Sequence, residues 1–243
     1  MTAGKLKEEL KKYASLERKK ANKRFFKTGK GEYGEGDRFL GISNPDIRKV
    51  AEKFADLNYI ELQKIISSKF NEERLCALII LVNRYKKKRT GEAEKKKIFK
   101  FLLKNLKNVN NWNLVDITAP HIMGEYLIDN RREIKILDKL LASNFHWHRR
   151  VAVLATWSFI KRGDLQLTLK IAKKLFNDKE DLMHKAVGWM LREAWKKDAK
   201  MVEKFLIKNY NKIPRTTLRY TIERMSETKR KRFLKGKFKK YLL

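Results

Sequence analysis

Trp112 and Asp116 stand four residues apart in the segment NNWNLVD, residues 110–116. On a helix that spacing places an indole and a carboxylate on one face, one turn apart. Such a pair can stabilise a developing cation and take a proton from water. The same residues also read as an ordinary helix start, with the asparagines as caps and Asp116 in solvent. In FHWHRRVAVL, residues 145–154, Arg150 precedes an apolar run. Its planar fork suits a phosphate, although a plain surface arginine fits the pattern as well. His146 and His148 are two apart and share no helical face, so with the lone Cys76 they make a poor zinc set. Neither a metal nor a cofactor is expected. In HKAVGWMLRE, residues 184–193, Gly188 falls mid-helix. A glycine there costs about 1 kcal/mol against alanine, which points to close approach by a neighbouring group. Trp189 follows directly and, taken alone, reads first as core.

The charge balance says what such groups would meet. Sixty Lys and Arg against 28 Asp and Glu leave a net charge of +32. Charges of one sign repel within a compact chain, so an excess of this size calls for a polyanion. Nucleic acid comes first and an acidic membrane surface second. A codon bias toward lysine accounts for part of the excess, but not for arginines set within apolar patterns at Arg74, Arg150 and Arg192. Hydrophobic residues make up 42% of the chain, too many for a disordered polymer. The apolar run 77–82 is far short of the ~20 residues that span a bilayer, and the first residues contain no apolar leader core. A single cysteine excludes a disulfide framework and fits a reducing compartment, so a cytoplasmic protein associated with DNA is expected.

These residues must be positioned by helices. Three-and-four spacing of apolar residues recurs throughout, as in Leu75, Leu78, Ile79 and Val82, or Val151, Leu154, Ala155 and Phe159. The glycine-rich stretch 27–43 breaks the pattern, and Ser43 or Asn44 with Pro45 can then start a helix. Joints fall near Asn71, Gly91, Asn110, Asn130, Asn144, Gly163, Asp178, Asp198 and Pro214, which predicts about a dozen helices of roughly 10–18 residues. Aligning the inner helices on Ala77, Leu114, Ala152 and Val187 gives steps of 37, 38 and 35 residues. That period predicts an all-α, curved solenoid of HEAT-like helical repeats, an α-α superhelix, formed as one domain over residues 1–243. A basic concave face would cradle a duplex, and a shallow face would offer no deep pocket for a base turned out of the stack.

Five ordered segments carry a resemblance over nearly the whole length. They are FFKTGKGEYGEGDRFLGISNPDIRKVA (25–51), NNWNLVD (110–116), RRVAVL (149–154), KAVGWMLRE (185–193) and IPRTTLRYTIE (213–223). In them the chain resembles the AlkD-like DNA alkylation repair family of HEAT-like-repeat DNA glycosylases. The resemblance implies hydrolysis of the N-glycosidic bond of N3- or N7-alkylated purines in duplex DNA, without full flipping of the base. It implies catalytic roles for Trp112, Asp116 and Trp189 and a phosphate-binding role for Arg150, with Arg149, Lys185 and Arg192 as further DNA-binding candidates. The expected partner is double-stranded DNA carrying alkylated bases, met by a monomer. Some members of that family carry an aromatic residue directly before the first tryptophan, where this chain has Asn111, and the glycine-rich stretch marks a branch whose lesions differ. A non-catalytic binder of distorted or branched DNA is the alternative, and a protein-binding adaptor the more distant one.

Overall fold

Polar caps set the helix starts. Thr2, Ser15, Ser43, Asn58, Asp198 and Ser226 each accept, through a side-chain oxygen, the backbone N–H three residues on. Each such cap is worth about 1 kcal/mol. The computed structural model describes residues 1–238; the last five residues of the expected 1–243 domain lie outside the described residues. No strand forms among the described residues, and Arg38 and Phe70 make an isolated bridge. The fold is all-α and built from helical repeats, as the periodicity predicts.

The helices gather into two compact units, Met1–Ile122 and Met123–Leu243. The first holds α1 (Ala3–Lys11), α2 (Leu16–Phe25), α3 (Asn44–Lys53), α4 (Tyr59–Ile66), α5 (Asn71–Lys86), α6 (Glu92–Lys104) and α7 (Trp112–Thr118). The second holds α8 (Glu125–Asp129), α9 (Ile136–Leu141), α10 (His146–Lys161), α11 (Gln166–Lys174), α12 (Asp181–Lys197), α13 (Ala199–Lys208), α14 (Arg215–Thr221) and α15 (Glu227–Lys235). Several are shorter than expected, α8 having only five residues. The region after Asn110 explains much of this. Pro120 cannot donate to the Asp116 carbonyl, and the helix widens into a π-turn over Ala119–Gly124.

In the first unit α3 and α4 pack on α5, and α5 packs on α7. In the second, α10 packs on α12 and α12 on α14. The four residues used to align the repeats, Ala77, Leu114, Ala152 and Val187, are all 0% exposed, so the repeat register read from sequence is the core register.

Gly188 needs no ligand to explain it. A Cβ built there would lie 2.5 Å from the Tyr220 Cβ and 2.7 Å from the Thr217 carbonyl, so α14 is the group that approaches. Thr217 Oγ1 also donates to the His184 carbonyl at 3.0 Å. Gly188→Ala regains about 1 kcal/mol of helix propensity but must push backbone away. The expected net result is a loss of about 1–3 kcal/mol, read by thermal melting; an unchanged melting point would mean that α14 shifts freely.

Cys76 is fully buried on α5, with its sulfur 3.8 Å from the Ile47 carbonyl oxygen. Burial first, and the charge of Glu73 second, push its thiol up to about 12. The thiolate is therefore scarce as well as inaccessible. A thiol reagent at pH 8 should leave the native protein unmodified and titrate one thiol in guanidinium. Rapid native labelling would contradict this packing.

Candidate active site

Trp112 is the first residue of α7, and its backbone N–H donates to the Asn111 side-chain oxygen at 2.8 Å. Its indole is half-buried and stacks on Phe26 with ring centres 5.0 Å apart and 15° between planes. Phe26 stacks in turn on buried Phe39 at 4.7 Å. Phe25 meets the indole edge-on at 5.6 Å and is 65% exposed. Offset and T-shaped aromatic pairs each add about 0.5–1.5 kcal/mol beyond burial, enough to fix the plane of the indole. The rings form one wall of a cleft of ≈380 Å³ within the first unit, lined also by Arg18, Asn22 and Asn44. A shallow surface was expected here; residues from α2 and from the stretch 27–43 give it depth.

Behind the indole lies a buried polar network that sequence reasoning missed. Asp37 Oδ1 accepts from Arg74 Nη2 at 2.6 Å, and the side chains are 1% and 5% exposed. Asp37 Oδ2 accepts from the side-chain amides of Asn71 and Asn111, each at 2.8 Å. Arg74 Nη1 donates to the Ser68 carbonyl at 2.9 Å, and Asn113 donates to the Asn71 side-chain oxygen at 2.8 Å. Arg74 thus faces inward to a carboxylate, not outward to a polyanion. Beside it the buried Glu72 accepts the backbone N–H groups of Leu40 at 3.0 Å and Gly41 at 2.9 Å, pinning the end of the glycine-rich stretch. Gly41 has φ 84°, and a Cβ on it would fall 2.1 Å from the Ser15 carbonyl, so the stretch seats against the start of α2. The available signal was a pair of acids, Glu72 and Glu73, opening an apolar helix, where they suit the helix dipole.

Asp116 follows Trp112 by one turn on α7 and is half-buried. The helix carries both side chains on one face, as the spacing predicts. Asn111, where an aromatic would stand in some relatives of the resembled family, is fully buried and serves instead as the cap of α7 and a tie to Asp37.

The remaining candidates lie in the second unit. Arg150, 6% exposed on α10, donates to the Leu182 carbonyl at 2.9 Å. Arg149 binds Asp178 through two nitrogens, at 2.6 and 3.1 Å, and also donates to the Ser143 and Asn144 carbonyls. Lys185 pairs with Asp181 at 2.7 Å. Arg192 pairs with Glu223 and lies 3.7 Å from Glu193. Trp189 is half-buried. Lys185, Trp189 and Arg192 follow i, i+4, i+7 spacing on α12 and therefore form one stripe. Arg149, Lys185 and Arg192 thus each hold an acidic partner within the protein. Burial holds the His146 and His148 imidazoles below the usual histidine range. Among the described residues no group of three or more His, Cys, Asp or Glu is placed to hold a metal ion, and no helix is long and apolar enough to cross a membrane.

Fold and charge together define a class: an all-α helical-repeat protein of strongly basic composition. The sequence narrows it further, since the chain belongs to the family described as DNA alkylation repair enzyme, whose model matches residues 6–225. It is similar to a solved structure described as a predicted DNA alkylation repair enzyme from Enterococcus faecalis. That structure is 16% identical, with a TM-score of 0.68, over 88% of this chain and 97% of that one. At such identity the likeness shows the fold alone. No curated protein matches the sequence. Family membership gives the protein a role in DNA alkylation repair, as an enzyme acting on DNA.

Proposed function

We propose that the protein is a DNA glycosylase that hydrolyses the N-glycosidic bond of N3- or N7-alkylated purines in duplex DNA, with the base not fully flipped from the stack. The observation that carries this reading is the Trp112–Asp116 pair: an indole clamped by Phe25 and Phe26, with a carboxylate one turn along the same helix. An alkylated purine is already cationic. When its bond to C1′ breaks, the bonding electron pair leaves with the base, which departs neutral and needs no general acid. The sugar becomes oxocarbenium-like. Asp116 stabilises that charge and takes the proton of the water that attacks C1′. The indole faces of Trp112 and Trp189 attract the cation, at about 0.5–2 kcal/mol each. Arg150 is assigned to a backbone phosphate. A paired-carboxylate glycosidase mechanism is disfavoured, because no second acid is assigned beside Asp116.

Asp116→Asn is the test. Single-turnover excision of an N3- or N7-alkylpurine from duplex DNA should fall about 10²–10³-fold, roughly 3–4 kcal/mol of transition-state stabilisation. Melting temperature and DNA affinity should stay near wild type. Trp112→Ala and Trp189→Ala should each cost less in rate, since a cation–π contact is weaker than a placed charge. A fully active Asp116→Asn protein would remove Asp116 from the chemistry. A wild-type protein that binds alkylated DNA and releases no base would instead be a non-catalytic binder.

A further inference from the structure

The stretch Arg215–Lys235 of α14 and α15 holds eight Lys and Arg against two acids, Glu223 and Glu227. Both acids are engaged: Glu223 binds Arg192, and Glu227 binds Lys231 at 2.7 Å. A groove of ≈600 Å³ runs between these helices, lined by Arg215, Arg219, Arg230, Tyr220, Leu234 and the acid Glu223. Arg219 and Arg230 are exposed, and their guanidinium groups make no hydrogen bond or ion pair among the described residues. Arg215 donates through Nη1 to the Leu234 carbonyl at 2.9 Å, which fixes its stem while its other donors remain for a ligand. Tyr220, 37% exposed, lines the same groove, and its Cβ is seated against Gly188.

This arrangement differs from the other basic residues considered above. Arg149, Lys185 and Arg192 hold carboxylates, whereas here two guanidiniums face one concavity whose lining acid, Glu223, is bound by Arg192 and by neither of them. Arginine forks match phosphate oxygens, and an aromatic side chain beside them matches the apolar sugar and base edges of a strand. The groove is also large enough for a backbone segment. We propose that the α14–α15 groove is a DNA contact in its own right, in which Arg219 and Arg230 each bind a backbone phosphate. The inference rests on the protein acting on DNA, but not on which bond it cleaves. The contact is sequence-independent and positions the duplex without taking part in base release.

The test is salt-dependent binding of an undamaged duplex oligonucleotide, followed by fluorescence anisotropy. The double variant R219A/R230A removes two phosphate contacts, so the slope of log affinity against log salt should fall by about 1.8. The wild-type advantage over the variant should then shrink about twelvefold between 50 and 200 mM salt. R219K/R230K should restore most of the slope, since lysine keeps the charge. K88A/R89A, at exposed positions in the first unit, removes the same net charge away from the groove and serves as control. A slope equal to wild type in R219A/R230A overturns the proposal, as does an equal fall in K88A/R89A, which would mean diffuse charge alone. Because undamaged DNA is used, the outcome is separable from that of Asp116→Asn. Loss of excision in the latter with an unchanged slope in the former would leave the glycosylase reading standing and the groove refuted, and the converse result the reverse.

Discussion

Raising the salt from 50 to 200 mM is expected to weaken duplex binding by roughly 10³–10⁵, the loss produced when about 6–10 phosphate contacts release their counterions. The net charge of +32 motivates the expectation. The structure changes which cations should carry it. Arg74 is buried against Asp37, and Arg149 is tied to an Asp178 whose side chain is 4% exposed, so neither is free to take up a phosphate without leaving a buried acid behind. Cations already paired with carboxylates release fewer counterions than solvated ones. The slope should therefore be insensitive to Arg74 and Arg149 and sensitive to exposed, unpaired residues that meet the duplex, such as Arg219 and Arg230. Anisotropy titrations at several salt concentrations give the slope directly, and the effect should be the same for unrelated duplex sequences. An affinity flat in salt would mean that the excess charge has another purpose.

Asp37→Ala should lower stability by about 3–5 kcal/mol, the usual cost of removing one partner of a buried ion pair. In a protein of this size that corresponds to a fall in melting temperature on the order of 6–20 °C. Arg74 would be left as a buried charge, and the side-chain amides of Asn71 and Asn111 would each lose an acceptor. For that reason the apolar double variant D37L/R74M, which in a simple ion pair can approach neutrality, should recover only part of the loss. The Asn111 amide is left without its Asp37 acceptor, at about 1–3 kcal/mol, while the Asn71 amide keeps only its longer bond to Asn113 Oδ1 at 3.3 Å. Thermal melts of the two variants decide it. A stable Asp37→Ala protein would show that the network contributes little to the fold.

The repeat register was legible because it depends on local spacing: Ala77, Leu114, Ala152 and Val187 are core in the structure, and Ser43 and Asp198 cap helices as their chemistry dictates. The placement of Trp112 and Asp116 on one helix was legible for the same reason. The Asp37 network was not, since its members lie 34, 37 and 74 residues apart and Asp37 itself stands in a glycine-rich stretch that reads as surface loop. The engagement of Arg149 by Asp178, 29 residues on, was hidden likewise. The short helices after Asn110 follow from Pro120, whose effect on the preceding turn can be inferred but whose π-turn cannot.

Asn111 bonds to Trp112 with one end of its amide and to Asp37 with the other. Opening of the stretch 37–41 and fraying of the start of α7 are therefore one event. In hydrogen exchange the amides of Leu40 and Gly41, held by Glu72, and that of Trp112 should belong to a single cooperative unit. The rigidity of the indole is then a property inherited from a loop some seventy residues earlier in the chain, and relatives that reshape that loop would retune the tryptophan without touching it.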